Sequence, residues 1–252
     1  KAAFPVVNTL QGCGAAGKYA QGYLSAEPLF LTSLGVYAIT PADITGEIYL
    51  QNRSFYLNGK LLQEEGLEDA YACIFRDMYW LCLNGKAYIL DGLQPQPPAN
   101  GMPYSTRQYA GFYCTNIPAR IMFQWAGRLY FGSEEGELFR VLDDPAALLS
   151  YSDNGAPIKA RWELPDIEGT AFYKNKTFRY LAVQLASAAV TGVDIYAMEK
   201  GLWRLLRSEE NKPRYFSWSN LSWPSFTWSN DSTSKLAACK IRIKKTEKVR
   251  FA

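Results

Sequence analysis

Few groups in this chain are of a type and spacing that could do chemistry. Residues 12–19, GCGAAGKY, match G-x-G-x-x-G and come within one residue of the phosphate loop G-x-x-x-x-G-K-[ST]. A phosphate cradle works by aiming the N–H groups of a helix N-terminus at the anion. Here Tyr19 stands where a Mg²⁺-binding hydroxyl is needed, and the next residues, AQGYLSAEPLF, contain Gly22 and Pro28 and have no helical periodicity. Without the helix, the stretch is not read as a nucleotide site.

Histidine is absent from all 252 residues. That removes Ser-His-Asp and Cys-His catalysis, imidazole-ligated metals and the usual general base near neutral pH. Paired carboxylates could still cleave glycosides, and Glu134, Glu135, Glu137, Asp143, Asp144 and Asp166 are the candidates. Glu134-Glu135-Gly136, however, reads as a hairpin turn, where acidic side chains are ordinarily solvated. No D-x-D-x-D-G calcium loop occurs. The five cysteines, Cys13, Cys73, Cys82, Cys114 and Cys239, are odd in number, widely spread and free of any CxxC pair, so they are read as free thiols from a reducing compartment. The expectation is a non-enzymatic chain with no catalytic residue, no metal, no cofactor and no small-molecule substrate.

Two residue sets look like contact surfaces. Phe216 to Asn230, FSWSNLSWPSFTWSN, divides into three pentads with Trp218, Trp223 and Trp228 at matching places, preceded two residues earlier by Phe216, Leu221 and Phe226. A period of five suits neither helix nor strand, but three short extended steps separated by Ser, Asn and Pro corners would present one aromatic ridge. Such a ridge packs internally or meets a partner or sugar. The second set is the basic terminal strand KIRIKKTEKVR, whose Arg242, Lys244, Lys245, Lys248 and Arg250 form a candidate basic interface. Nothing around it has a nucleic-acid-binding framework, so only non-specific contact with DNA is expected.

These groups must be held by β structure. Aromatics make up 15 % of the chain, with 17 Tyr, 13 Phe and 7 Trp, and Gly and Pro are frequent; that mixture favours strands and tight turns. Three segments align without gaps, LFLTSLGVYAI (29–39), WLCLNGKAYIL (80–90) and FGSEEGELFRV (131–141), each 51 residues from the next. Leu29, Trp80 and Phe131 then form one column and Tyr37, Tyr88 and Phe139 another. Each copy reads as strand, turn, strand, with turns carrying Gly35, Asn84-Gly85 and Glu135-Gly136. Further alternations at AYACIFRDMYW (70–80) and IMFQWAGRLYF (121–131), broken at Arg76-Asp77 and Ala126-Gly127, make each unit three or four strands. Units of this size are β-propeller blades, although three are too few to close a ring.

Gln94-Pro95-Gln96-Pro97-Pro98-Ala99-Asn100-Gly101 is read as a surface connection between blades, and Asp143-Asp144-Pro145 as the start of a capped helical turn. Beyond a boundary near 150–156, FRYLAVQL (178–185) and VDIYAM (193–198) are expected to pair as a hairpin. KIRIKK (240–245) places Ile241 and Ile243 on one face and Arg242 and Lys244 on the other. The fold expectation is all-β: residues 1–152 as β-propeller-like blades, then 153–252 as a β-sandwich or jelly-roll-like domain incomplete at its C-terminus. The net charge of +3 hides about −5 on residues 1–158 and about +8 on 159–252, which fits two domains with different surroundings. No apolar run reaches the roughly 18–20 residues of a bilayer-spanning helix and no leader pattern occurs. The start at Lys1 and the stop within a strand-like pattern suggest a portion of something longer.

The succession GCGAAGKYA, EPLFLTSLGVYAI, NGKAYILDG, GRLYFGSEEGELFRV, SDNGAPIKARWELP, RYLAV, the FSWSN pentads and KIRIKK resembles tailed-bacteriophage virion proteins, the propeller-bearing nozzle, hub or tail-accessory components. The resemblance implies a structural role in a virion assembled in the host cytoplasm, with other copies of itself and other tail proteins as partners and DNA passing nearby. The alternatives are a carbohydrate-binding or receptor-binding propeller and a bacterial propeller scaffold for protein partners.

Overall fold

The computed structural model describes residues 14–25, 27–41, 48–96, 108–144, 148–169, 171, 173–185, 191–199, 201–211 and 235–252. The protein is all-β, built of several small antiparallel sheets, none of which closes on itself. The chain divides into two compact units, Lys1–Leu142 and Asp143–Ala252. The Phe216–Asn230 pentads lie outside the described residues.

Among the described residues, the first unit contains three sheets in chain order, each a meander. β1 (Gln21–Leu24), β2 (Glu27–Thr32), β3 (Gly35–Pro41) and β4 (Ile48–Asn52) form the first sheet. β5 (Tyr71–Phe75), β6 (Met78–Leu83), β7 (Lys86–Gln96) and β8 (Gln108–Thr115) form the second. β9 (Ile121–Trp125), β10 (Arg128–Gly132) and the short β11 (Leu138–Arg140) form the third. The Asn84-Gly85 turn has both residues at positive φ, 51° and 70°, as a two-residue hairpin of matching twist requires. The β2–β3 hairpin turns instead through Ser33-Leu34, and Gly35 opens β3 at φ 116°. Part of the proline-rich connection, Gln94-Pro95-Gln96, continues β7 and pairs with β8 across a register shift.

Strand alternation gives the second sheet two apolar faces, and both are buried. Ala72, Tyr79, Leu81, Leu83, Tyr88 and Leu90 join Leu24, Leu29, Leu31, Val36 and Ala38 of the first sheet in one core. Phe75, Cys82, Ala87 and Ile89, with Cys73 and Trp80, join Met122, Leu129 and Phe131 of the third sheet in another. Each fully buried Leu or Met side chain contributes about 2 kcal/mol through the water it no longer meets. The leading strands neighbour one another: β1 lies beside β5 and β5 beside β9. Tyr19 and Tyr71 form a parallel bridge with their rings stacked at 5.7 Å, and the Ala72 N–H donates to the Tyr19 carbonyl at 2.9 Å.

The 51-residue spacing holds between the first two sheets and slips in the third. Phe75 pairs with Met78 where Trp125 pairs with Arg128, a spacing of 50. A one-residue slip changes the face of every side chain in a strand. Phe131 therefore takes the place and face of Leu81, not of Trp80, and the column Leu29, Trp80, Phe131 is broken. The loop Ser133–Glu137, closed by Ser133 N–H donating to the Glu137 carbonyl at 2.9 Å, then restores the spacing. Tyr37, Tyr88 and Phe139 are consequently equivalent: they pair with Phe30, Leu81 and Phe131.

In the second unit, β12 (Ser152–Asp153) and β13 (Ala156–Pro157) form a small hairpin after a 3-10 turn at Leu148–Tyr151. The expected pairing of 178–185 with 193–198 does not occur. β14 (Lys176–Leu185) pairs with β17 (Lys235–Thr246), while β15 (Thr191–Glu199) lies between β16 (Leu202–Asn211) and β18 (Arg250–Phe251). The apolar residues of these two sheets, including Phe178, Leu181, Ala197, Ile241, Ile243 and Phe251, share one core. That burial outweighs the shorter loop closure a local hairpin would have offered, a difference that grows only slowly with loop length.

Candidate functional site

Residues 14–20 run through two isolated bridges, at Ala15 and Tyr19, and a turn directly into β1. GCGAAGKY therefore leads into a strand, and the helix that would aim N–H groups at a phosphate does not form after it. Gly17 instead lets the backbone pack closely, since a Cβ there would sit 2.9 Å from the Ala20 Cβ and 3.0 Å from the Leu67 carbonyl oxygen.

A cleft of about 320 Å³ opens where the Asn84-Gly85 turn, the segment Pro118–Arg120 and Glu134-Glu135 come together. Three of its charged groups, Arg120, Asp69 and Glu134, lie together. Arg120 donates to the Asp69 carbonyl at 2.8 Å and to the Asp69 carboxylate at 2.9 Å, and Glu134 lies 3.8 Å from its Nε. Cys82, at the cleft floor, is a poor nucleophile: burial, then the nearby Cys73 and Cys114 thiols, push its pKa up to about 12. Burial raises Cys73 and Cys114 as well, and all three are free thiols. The Cys82 Sγ lies 3.2 Å from the Met122 Sδ, joining the second and third sheets. The cleft thus combines one arginine engaged by two of its three carboxylates with an inert thiol, an arrangement that fixes one sheet against the next.

The basic residues singled out in the terminal strand are dispersed. Arg242 is a β17 residue. Lys244 and Lys245 are exposed, and Lys245, at φ 55°, is the extra residue of a bulge between the pairs Thr177–Lys244 and Lys176–Thr246. Lys248 and Arg250 converge on Asp166, with Lys248 Nζ 2.6 Å from Oδ2 and Arg250 Nε donating to Oδ1 at 2.9 Å. Those hydrogen bonds and charges hold the Asp166 carboxyl below its ordinary range and raise Lys248 and Arg250. Trp218, Trp223, Trp228, Phe216 and Phe226 lie outside the described residues.

Two features escaped the sequence reading. Glu64, after the short helix α1 (Asn58–Leu61), accepts hydrogen bonds from Lys86 Nζ at 2.6 Å, the Tyr88 hydroxyl at 2.7 Å and Asn84 Nδ2 at 3.0 Å. Burial alone would raise its pKa, but these bonds and the Lys86 charge outweigh it and leave the carboxyl below its ordinary value. The other feature is the outward face of the third sheet. Met122, Leu129 and Phe131 point toward the second sheet, so Ile121, Phe123, Trp125 and Tyr130 point away from it. Trp125 is 67 % exposed; the Phe123 and Tyr130 rings stack at 5.6 Å, and Trp125 tilts against Tyr130 at 6.1 Å. The alternation in IMFQWAGRLYF was the available signal, but both of its faces are apolar, so it could not say which one is covered.

No helix among the described residues is long and apolar enough to cross a membrane. No known protein family matches the chain, and no curated protein matches it.

Proposed function

We propose that the chain is a non-enzymatic structural subunit of a bacteriophage tail, acting through subunit interfaces. In this reading the first unit is a run of β-propeller blades and the second a β-sandwich or jelly-roll-like module. Its partners are other copies of itself and other virion tail proteins, assembled in the host cytoplasm.

The observation that carries the reading is the second sheet, whose two faces are both buried by sheets of the same meander type. Stacked four-stranded meanders whose leading strands sit side by side are how propeller blades pack around an axis, and β1, β5 and β9 are such neighbours. A wall built this way is stiff because each of its two buried apolar layers is shared by two sheets. The motif succession from GCGAAGKYA to KIRIKK supplies the link to phage tails, and a cleft whose arginine is already engaged and whose thiol is inert suits packing more than turnover.

The test is made on particles. Phage particles produced by the genome that encodes this chain should contain it at fixed stoichiometry in the tail, and a nonsense codon in its gene should give tail-defective, non-infectious particles. Purified infectious particles lacking the chain would overturn the reading.

A further inference from the structure

We propose that the outward face of the third sheet docks the first sheet of a second copy of this chain, so that two copies, three sheets each, complete one six-sheet ring. The inference rests on the blade reading and adds to it the partner and the surface.

The argument is continuity with the interfaces already present. In the second sheet, Tyr71, Cys73, Phe75, Trp80 and Ala87 are five of the residues on the face packed against the third sheet. By the strand pairings their equivalents in the third sheet are Ile121, Phe123, Trp125, Tyr130 and Leu138. All five are apolar or aromatic; Met78 and Ile89 of the same face have the exposed Arg128 and Arg140 as equivalents, so the surface also carries two cations. Ile121, Phe123, Trp125 and Leu138 are exposed, Leu138 by 66 %. A surface of this kind on a repeat element is an interface awaiting its neighbour.

The complementary surface lies at the other end of the stack. The second sheet meets the first through Ile74, Leu81, Tyr88 and Leu90. At the 51-residue spacing their equivalents in the first sheet are Tyr23, Phe30, Tyr37 and Ile39, on the face turned away from Leu29 and Leu31. Tyr23 is 71 % exposed and the other three are half-buried. One chain therefore carries both halves of the sheet-on-sheet contact, one at each end. A contact between unlike faces propagates head to tail, and it closes when the rotation completes a ring. Propellers close with about four to eight blades, and two chains, at the three described meanders each, make a ring of six.

The experiment measures mass by sedimentation equilibrium and light scattering of the full chain over a wide concentration range, with circular dichroism to establish that each variant is folded. The wild type is expected at twice 28.4 kDa. Trp125→Asp on one face and Tyr23→Asp on the other should each give a folded monomer. Leu138→Glu provides a second probe of the first face. Mixing Trp125→Asp with Tyr23→Asp should restore a dimer, because one of its two interfaces is then unmodified. A monomeric wild type would overturn the proposal, as would a dimer that Trp125→Asp breaks and Tyr23→Asp leaves intact, which would put like face on like face. Glycan binding by a monomeric wild type, lost in Trp125→Asp, would overturn it in favour of a sugar platform. A monomer that is nonetheless found in tails sinks this inference alone; a ring-forming dimer absent from particles sinks only the tail assignment.

Discussion

The guanidinium of Arg53 closes on the carboxylate of Glu27 inside the first unit, with Nε 3.0 Å from Oε2 and the second nitrogen contact to Oε1 at 2.8 Å. Arg53 has no exposed surface. Thr40 of β3 accepts from the same guanidinium at 3.3 Å, and the Tyr109 hydroxyl of β8 donates to Glu27 at 3.0 Å. The network thus bridges the first and second sheets with every charge answered by a partner, the condition under which a buried ion pair is tolerated.

Removing one partner leaves the other charge buried. Arg53→Met should destabilise the first unit by about 3–5 kcal/mol, while the double variant Arg53→Met with Glu27→Leu should recover much of that loss. Urea denaturation of the three proteins measures the difference; equal stability of single variant and wild type would mean that the pair is open to water.

Glu64 gives a pH dependence of defined sign. Its folded pKa lies below the ordinary value of 4.5, so its contribution is fully present above that value and is lost as pH falls through the folded pKa. Glu64→Gln should cost about 1 kcal/mol at neutral pH, and the gap to wild type should close in acid. Thermal melts of both proteins between neutral and acidic pH check this; a gap that widens in acid would contradict the hydrogen bonding from Lys86 and Tyr88.

Cys82 should resist alkylation. With its thiol pushed up to about 12, almost no thiolate exists at pH 8 in the folded chain. Peptide mass spectrometry after brief iodoacetamide treatment should find Cys82 unmodified until urea unfolds the protein. Rapid labelling in the native state would mean that the second and third sheets do not close over it.

Gly92 is required by a close approach of backbone. A Cβ there would lie 2.6 Å from the Asp77 carbonyl oxygen, which already accepts the Gly92 N–H at 2.8 Å. Gly92→Ala should cost about 1–3 kcal/mol, measured by denaturant titration, whereas Gly59→Ala, with open space around it, should be close to neutral or stabilising.

Asp166→Asn should unmask charge on the second unit. Lys248 and Arg250 lose their shared partner, and the protein should elute from a heparin column at higher salt than wild type. Unchanged elution would mean that those two cations are already satisfied elsewhere.

Local signals were strong enough for the sequence alone to determine the all-β class, the hairpins at Asn84-Gly85 and Ala126-Gly127, and the inward face of Ile241 and Ile243. Each depends on residues a few positions apart: a turn that tolerates positive φ, or an alternation of period two. Tertiary structure decided what depends on partners far along the chain. It set which strand β14 would pair with, because the choice between a nearby and a distant strand is made by the core they share. It turned Phe131 to Leu81's face, because register is fixed by burial and a single residue inverts it. It also enclosed Arg53 with Glu27 and set Lys248 and Arg250 on Asp166, since an ion pair is a matter of distance in space, on which spacing in the chain is silent.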